Sequence, residues 1–202
     1  MKSVQTSLYA GLALLYLLVL GWVPFTGDAA IKALPIVYLA ILAWQRGARG
    51  LTLALVASAV GDVLLAFGAF VPGLAVFLIA QLLYAALFAR QLIWRSERLP
   101  LALMLLLWCG SLLLLIGPHL GALLVPVLAY LTAIVCMGLA ATMNRQSIWP
   151  GVAGAACFVL SDSLIAVELF VTVLPAHGWA IMVTYYLAQW LLTQALIHAS
   201  EA

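Results

Sequence analysis

Charge is what this sequence has least of. Eight Lys or Arg and six Asp or Glu make up 7% of its 202 residues, against about 25% in ordinary soluble domains. A water-facing globule is excluded on that ground. With a formal net charge of +2, no basic face exists that would neutralise a run of phosphates, so no nucleic-acid partner is expected. Cysteine is scarce too. Cys109, Cys136 and Cys157 all sit in apolar stretches, and an odd count at irregular spacing is neither a disulfide framework nor a zinc site. The sequence lacks a G-x-S-x-G elbow, an H-E-x-x-H pair, a P-loop and a Gly-rich dinucleotide turn, which leaves the corresponding nucleophile, metal and nucleotide chemistries without a footing. No cofactor or metal is expected. The histidines do not cluster: His119 and His177 fall in short outer loops and His198 at the inner end of the last span, and all three read as interfacial.

What is present is apolar: 68% hydrophobic residues and a mean hydropathy of +1.25. A span of the bilayer takes about 20 such residues. Breaks at Pro, Gly and charge divide the chain into segments 5–23, 30–45, 51–67, 73–93, 99–116, 120–142, 150–173 and 178–198, which predicts an all-α integral membrane protein of eight transmembrane helices in a single domain, 1–202. Lys2 followed by the apolar run Leu8 to Leu20 also fits a secretory signal, but the unbroken series of hydrophobic segments favours a retained first span. Trp22, Trp44, Trp94, Trp149 and Trp179 stand at span ends as an aromatic belt. Gly151-x-x-x-Ala155 reads as a close-packing stripe.

With eight spans and a cytoplasmic N-terminus, Lys2, Arg46, Arg49, Arg90, Arg95, Arg98 and Arg145 share the inner side, leaving Lys32 alone outside. That asymmetry places both termini in the cytoplasm. The two halves also compare with one another. Val60-Gly61-Asp62-Val63-Leu64 in span three matches Leu160-Ser161-Asp162-Ser163-Leu164 in span seven, and Ala80-Gln81 in span four matches Ala188-Gln189 in span eight. Either a four-plus-four parallel repeat or coincidence in an apolar sequence accounts for these matches.

An ionisable residue at mid-membrane costs about 2.5 to 3.5 kcal/mol, so each needs a partner or a purpose. Four qualify: Lys32, Asp62, Asp162 and Glu168. Counting along the segments puts both aspartates near their midpoints, with Glu168 nearer the outer end. Gln81, Tyr84, Ser161, Tyr185, Tyr186 and Gln189 fall at central or outer depths; Ser58 shares a face with Asp62, and Tyr185 with Gln189, at i, i+4. A polar cavity opening toward the outer leaflet is expected. On a structural reading, Lys32 instead neutralises one aspartate while Gln and Tyr tie helices together. Two acids are nevertheless too many for one lysine, which points to a functional pair.

At these residues the sequence resembles the YhhN family of membrane proteins, the lysoplasmalogenases. The resemblance is carried by Lys32-Ala33-Leu34-Pro35, Gly61-Asp62-Val63-Leu64-Leu65, Ala80-Gln81-Leu82-Leu83-Tyr84, Gly154-Ala155-x-x-Phe158-x-x-Ser161-Asp162-Ser163-Leu164 and Tyr186-Leu187-Ala188-Gln189. Two positions depart from the family pattern: Ala33 stands where Pro is usual, and Gln81 where His is usual. The resemblance implies a multi-pass protein, expected in a bacterial inner membrane, whose partners are membrane lipids and a lysophospholipid substrate. It implies hydrolysis of the vinyl-ether bond of lysoplasmalogens to a fatty aldehyde and glycerophosphoethanolamine or glycerophosphocholine.

That chemistry needs an acid and a base together, because the vinyl ether is protonated at carbon and water captures the cation. Asp62 and Asp162 are the candidate pair, with the acid unassigned, since two apposed carboxyls in a low dielectric do not both ionise easily. Lys32 is the candidate for the phosphate, Tyr185 or Tyr186 for orienting polar groups, and Gln81, Tyr84, Ser161 and Gln189 complete the expected substrate site. Two other readings compete. A lipid or small-molecule transporter or scramblase would also use midplane charges. An intramembrane aspartyl protease would use two aspartates, but neither a Tyr-Asp nor a Gly-x-Gly-Asp motif is present.

Overall fold

The computed structural model describes residues 3–22, 25, 27–145, 148–173 and 175–200. Lys2 and the side chain of His198 lie outside the described residues. Among the described residues, eight helices are long and apolar enough to cross a membrane. They are α1 (Ser3–Val19), α2 (Asp28–Gln45), α3 (Arg49–Ala66), α4 (Phe70–Ala89), α5 (Leu99–Ile116), α6 (Leu124–Thr142), α7 (Ile148–Phe170) and α8 (His177–Ser200). The chain is an all-α, multi-pass membrane protein.

Glycine ends α2 and α3 in the same way. Gly47 (φ 72°) and Gly68 (φ 73°) take left-handed backbone that a side chain would strain. The residue after each bonds back five positions, Ala48 N–H to Ala43 O at 3.0 Å and Ala69 N–H to Leu64 O at 2.9 Å, which satisfies carbonyls at the helix ends. These tight turns make α2, α3 and α4 antiparallel neighbours. Helix α4 starts at Phe70, three residues before the expected segment start at 73. A first-turn proline has no intrahelical N–H to lose, so Pro72 is carried inside the helix.

At the other end, α4 stops at Ala89 instead of 93. The backbone of 91–93 pairs instead with 143–145: Ile93 N–H to Met143 O at 2.8 Å and Arg145 N–H to Gln91 O at 2.7 Å. Arg98 reinforces this clasp, donating to the carbonyls of Thr142 (2.9 Å) and Asn144 (2.7 Å). The arginine-bearing loops 90–98 and 143–145 therefore share one face of the bundle.

Helices α2, α3, α4, α6, α7 and α8 pack in that order as a closed circuit, α8 returning to α2. Outside it, α1 lies against α2 and α8, and α5 against α6 and α7. Exchanging α2, α3, α4 for α6, α7, α8 maps the circuit onto itself, but among the described residues α1 lies against α8 whereas α5 lies against α7 and not α4, so the exchange does not extend to the outer helices as a four-plus-four repeat requires. The closest approach of a glycine to another helix's backbone is between α7 and α8, where a Cβ on Gly154 would meet the Leu192 backbone nitrogen at 2.9 Å. Gly151, read from sequence as half of a small-residue stripe, faces Phe88 and Ala195 one turn away.

Candidate active site

All six helices of the circuit contribute to one cavity of about 90 Å³. Its polar lining is Lys32, Asp62, Tyr130, Ser161, Asp162 and Tyr185, set in a wall that includes Phe70, Leu74, Phe77 and Phe170. These residues come from the starts of α2, α4, α6 and α8 and the ends of α3 and α7, so the cavity occupies the half of the bundle away from the arginine clasp. Asp162 lies near the midpoint of α7, as expected, whereas Asp62 is displaced toward the end of α3. Asp62 stands four residues before the end of α3, a rise of about 6 Å, and Asp162 eight before the end of α7, about 12 Å. The displacement follows from α3 starting and stopping at its glycine turns, earlier than the hydropathy break suggests.

The two carboxyls differ in their surroundings. Asp62 is 2% exposed; Lys32 Nζ lies 3.6 Å from its Oδ1, and Tyr185 O–H donates to its Oδ2 at 2.7 Å. Asp162 is only partly buried and has no cation beside it among the described residues. It accepts instead from Tyr130 O–H at 2.5 Å. Behind each tyrosine stands a glutamine. Gln189 Nε2 donates to Tyr185 Oη at 3.2 Å, and Tyr84 O–H donates to Gln189 Oε1 at 2.6 Å. Gln81 Nε2 approaches Tyr130 Oη at 3.5 Å. Each aspartate thus ends a Gln to Tyr to Asp relay, and the two carboxyls are not hydrogen-bonded to one another.

Of the residues singled out from sequence, Lys32, Asp62, Ser161, Asp162 and Tyr185 meet at the cavity. Ser161 O–H is turned to the Ile181 carbonyl, 3.1 Å away, so it ties α7 to α8 at the cavity wall. Gln81, Tyr84 and Gln189 are fully buried one layer behind. Tyr186 is directed elsewhere: its hydroxyl donates to the Lys32 carbonyl at 2.8 Å, and its own carbonyl accepts from Tyr9 O–H at 2.6 Å. Ser58 O–H bonds the Ala54 carbonyl of its own helix. Glu168 lies outside the cavity, paired with His177 Nε2 at 2.5 Å, so that one of the three histidines joins α7 to α8 rather than standing alone at the interface. The sequence reading passed over Tyr130. Its signal was a lone tyrosine near the start of α6, at a position comparable to Lys32 in α2, visible only when the two halves are aligned helix by helix.

The YhhN family model matches residues 27–196. The chain belongs to the YhhN family. The matched stretch begins just before Lys32 and ends beyond Gln189, so it takes in every residue of the cavity and of both relays. The human protein named lysoplasmalogenase TMEM86B is 37% identical over 181 residues, covering 85% of this chain and 76% of the human one. Bovine lysoplasmalogenase TMEM86A is 31% identical over 205 residues, 89% of this chain and 84% of its own. A lysoplasmalogenase of Mycobacterium tuberculosis is 36% identical over 166 residues, 77% of this chain and 63% of its own. No solved structure matches this family member.

Proposed function

We propose that this protein is a lysoplasmalogenase, a hydrolase that cleaves the vinyl-ether bond of an alkenyl glycerophospholipid within the membrane. The observation that carries the chemistry is the unequal pair of acids on one cavity. A cation and a phenol hold charge on Asp62, whereas Asp162 faces the cavity with a phenol alone.

Asp162 serves as the acid and Asp62 as the base. Asp162 gives its proton to the alkenyl carbon remote from oxygen, leaving an oxocarbenium ion whose positive charge the Asp62 carboxylate stabilises. Water then adds to the carbon attached to oxygen and passes a proton to Asp62, forming the hemiacetal. On collapse, the carbon–oxygen bond to glycerol breaks. The departing oxygen takes the proton from Asp62, the hemiacetal hydroxyl returns one to Asp162, and both acids regain their starting states. The products are a fatty aldehyde and the glycerophospho headgroup.

Lys32 lies beside Asp62 with its side chain 16% exposed. An ammonium has three donors, so one cation can hold the carboxylate and still meet a phosphate oxygen at the cavity mouth. A transporter would need access from both faces, whereas the polar cavity lies in one half of the bundle. The deciding experiment is aldehyde release from a lysoplasmalogen by the purified protein. Absence of aldehyde with folded protein overturns the proposal.

A further inference from the structure

The two glutamines behind the site's tyrosines are held differently. A side-chain amide has donors on nitrogen and lone pairs on oxygen in nearly the same shape, so the partner at each end decides which way it faces. Gln189 has a partner at both ends. Tyr84 O–H donates to its Oε1 at 2.6 Å, and its Nε2 donates to Tyr185 Oη at 3.2 Å. Turning this amide over would oblige both tyrosines to reverse, and Tyr185 already donates to the Asp62 carboxylate at 2.7 Å.

Gln81 has a partner at one end only. Its Nε2 lies 3.5 Å from Tyr130 Oη, the long limit of a hydrogen bond. Its Oε1, in a side chain with 0% exposure, has no hydrogen-bond partner among the described residues, and a buried acceptor of that kind is rare enough to call for an explanation. The terminal torsion of a glutamine is broad and roughly two-fold, so a half-turn carries Oε1 to the place now held by Nε2. No bond is lost on the far side, because none is made there.

After that half-turn the Tyr130 hydroxyl has one proton and two acceptors, Asp162 Oδ2 at 2.5 Å and Gln81 Oε1. An ionised Asp162 wins, since charge-assisted hydrogen bonds are roughly twice as strong as neutral ones. Once Asp162 carries a proton, that advantage is gone and the amide oxygen competes on equal terms. The direction of the hydroxyl therefore follows the charge on Asp162. The other ionisable groups around that carboxyl are Lys32 of α2, Asp62 of α3, Cys109 of α5 and Tyr185 of α8, and none of them is hydrogen-bonded to it among the described residues.

We infer that Gln81 is a positioning residue that turns over with the proton cycle of Asp162: its oxygen accepts from Tyr130 while Asp162 is protonated, and its nitrogen turns Tyr130 back to Asp162 once the carboxylate forms. The O–H bond of Tyr130 is not broken. Behind Asp62 the locked Gln189 keeps Tyr185 donating, which suits a group that rests as a carboxylate. The use of this turn in catalysis rests on the lysoplasmalogenase reading, whereas the turn itself is observed without substrate.

The test is infrared difference spectroscopy on the full-length protein in nanodiscs, with glutamine isotope-labelled at the side-chain carbonyl, as pH is raised through the titration of Asp162. That titration is located by the protonated-carboxyl band that Asp162→Asn abolishes. An amide carbonyl that loses an O–H donor moves to higher frequency, so a label-sensitive glutamine band is expected to move up as the carboxyl band disappears. Gln81→Met, of similar volume, and Tyr130→Phe are each expected to remove this shift, and Gln189→Met to leave it. In aldehyde release, Gln81→Met is expected to lower kcat about fivefold with KM within about twofold, the size of one lost hydrogen bond. A shift absent from the parent, a shift that persists in Gln81→Met, or parental kcat in folded Gln81→Met overturns the inference while the hydrolase reading stands. If Gln81→Met does not fold, Tyr130→Phe decides, because a shift that survives loss of the phenol overturns it equally. A parent protein that shows the shift but releases no aldehyde removes the hydrolase reading and the role in turnover, and leaves the turning amide in place.

Discussion

Asp62 and Asp162 are the same residue type in different company, and the difference makes their variants distinguishable. Asn keeps the shape without the proton chemistry. General acid-base groups contribute about 10² to 10⁴-fold each, and residues acting as a unit are not additive. Asp62→Asn and Asp162→Asn should each lose at least about a hundredfold in aldehyde release, and the double variant far less than the product of the two losses. The parent's pH profile should be bell-shaped. Activity that needs an ionised Asp62 falls on the acid side, and activity that needs a protonated Asp162 falls on the alkaline side. Residual activity of Asp62→Asn should therefore lose the acid limb and that of Asp162→Asn the alkaline limb, measured as kcat/KM against pH. Lys32→Met tests the ion pair. Removing the cation leaves a buried carboxylate uncompensated, so kcat should fall more than tenfold; a rise in KM alone would assign Lys32 to the phosphate only. Tyr130→Phe removes the hydrogen bond to Asp162 at 2.5 Å but not the ring, and should move the alkaline limb while leaving the acid limb in place.

The helices hold these residues through close approaches as well as through the polar contacts between them. Gly154→Ala would bring a Cβ to 2.9 Å from the Leu192 backbone nitrogen. Backbone cannot swing aside as a side chain end can, so α7 and α8 must separate, carrying Asp162 away from Tyr185. Overpacking of this kind costs about 1 to 3 kcal/mol. Thermal unfolding in detergent should show the lowered Tm, together with a loss of activity larger than the stability change explains. The element level is also where the sequence was most and least legible. Hydropathy and breaker residues placed all eight helices, because a span needs little more than length and apolarity. The end of α4 escaped, because loop 91–93 stops being helical only through pairing with 143–145, a partner about fifty residues away in the chain. Lys32, Asp62 and Asp162 were visible because charge in an apolar run is conspicuous. Tyr130 was not, because a tyrosine in a membrane helix is unremarkable until an acid is found opposite it. Tyr186 was legible as polar but not in its direction, since the turn of a helix by one residue exchanges a cavity for a neighbour's backbone.

For the whole molecule, the distribution of basic residues and the position of the cavity make one statement. Arg46, Arg49, Arg90, Arg95, Arg98 and Arg145 belong to the end that carries the clasp, and Lys32 to the end that carries the cavity. From the positive-inside rule we propose that the clasp faces the cytoplasm and the cavity opens outward. Tags at both termini should therefore be protected from externally added protease in sealed cells, and a cleaved tag at either terminus would refute the topology. The order of the helices has a consequence for biosynthesis. Lys32 is on α2 and Asp62 on α3; Tyr130 is on α6 and Asp162 on α7. Each acid is thus translated immediately after the helix that bears a partner for it, and the pair can leave the ribosome and partition into lipid as one hairpin. Neither half of the chain has to wait for the other to give its acid a first polar partner, and Tyr185 of α8, the last helix made, then reaches Asp62 across the two halves.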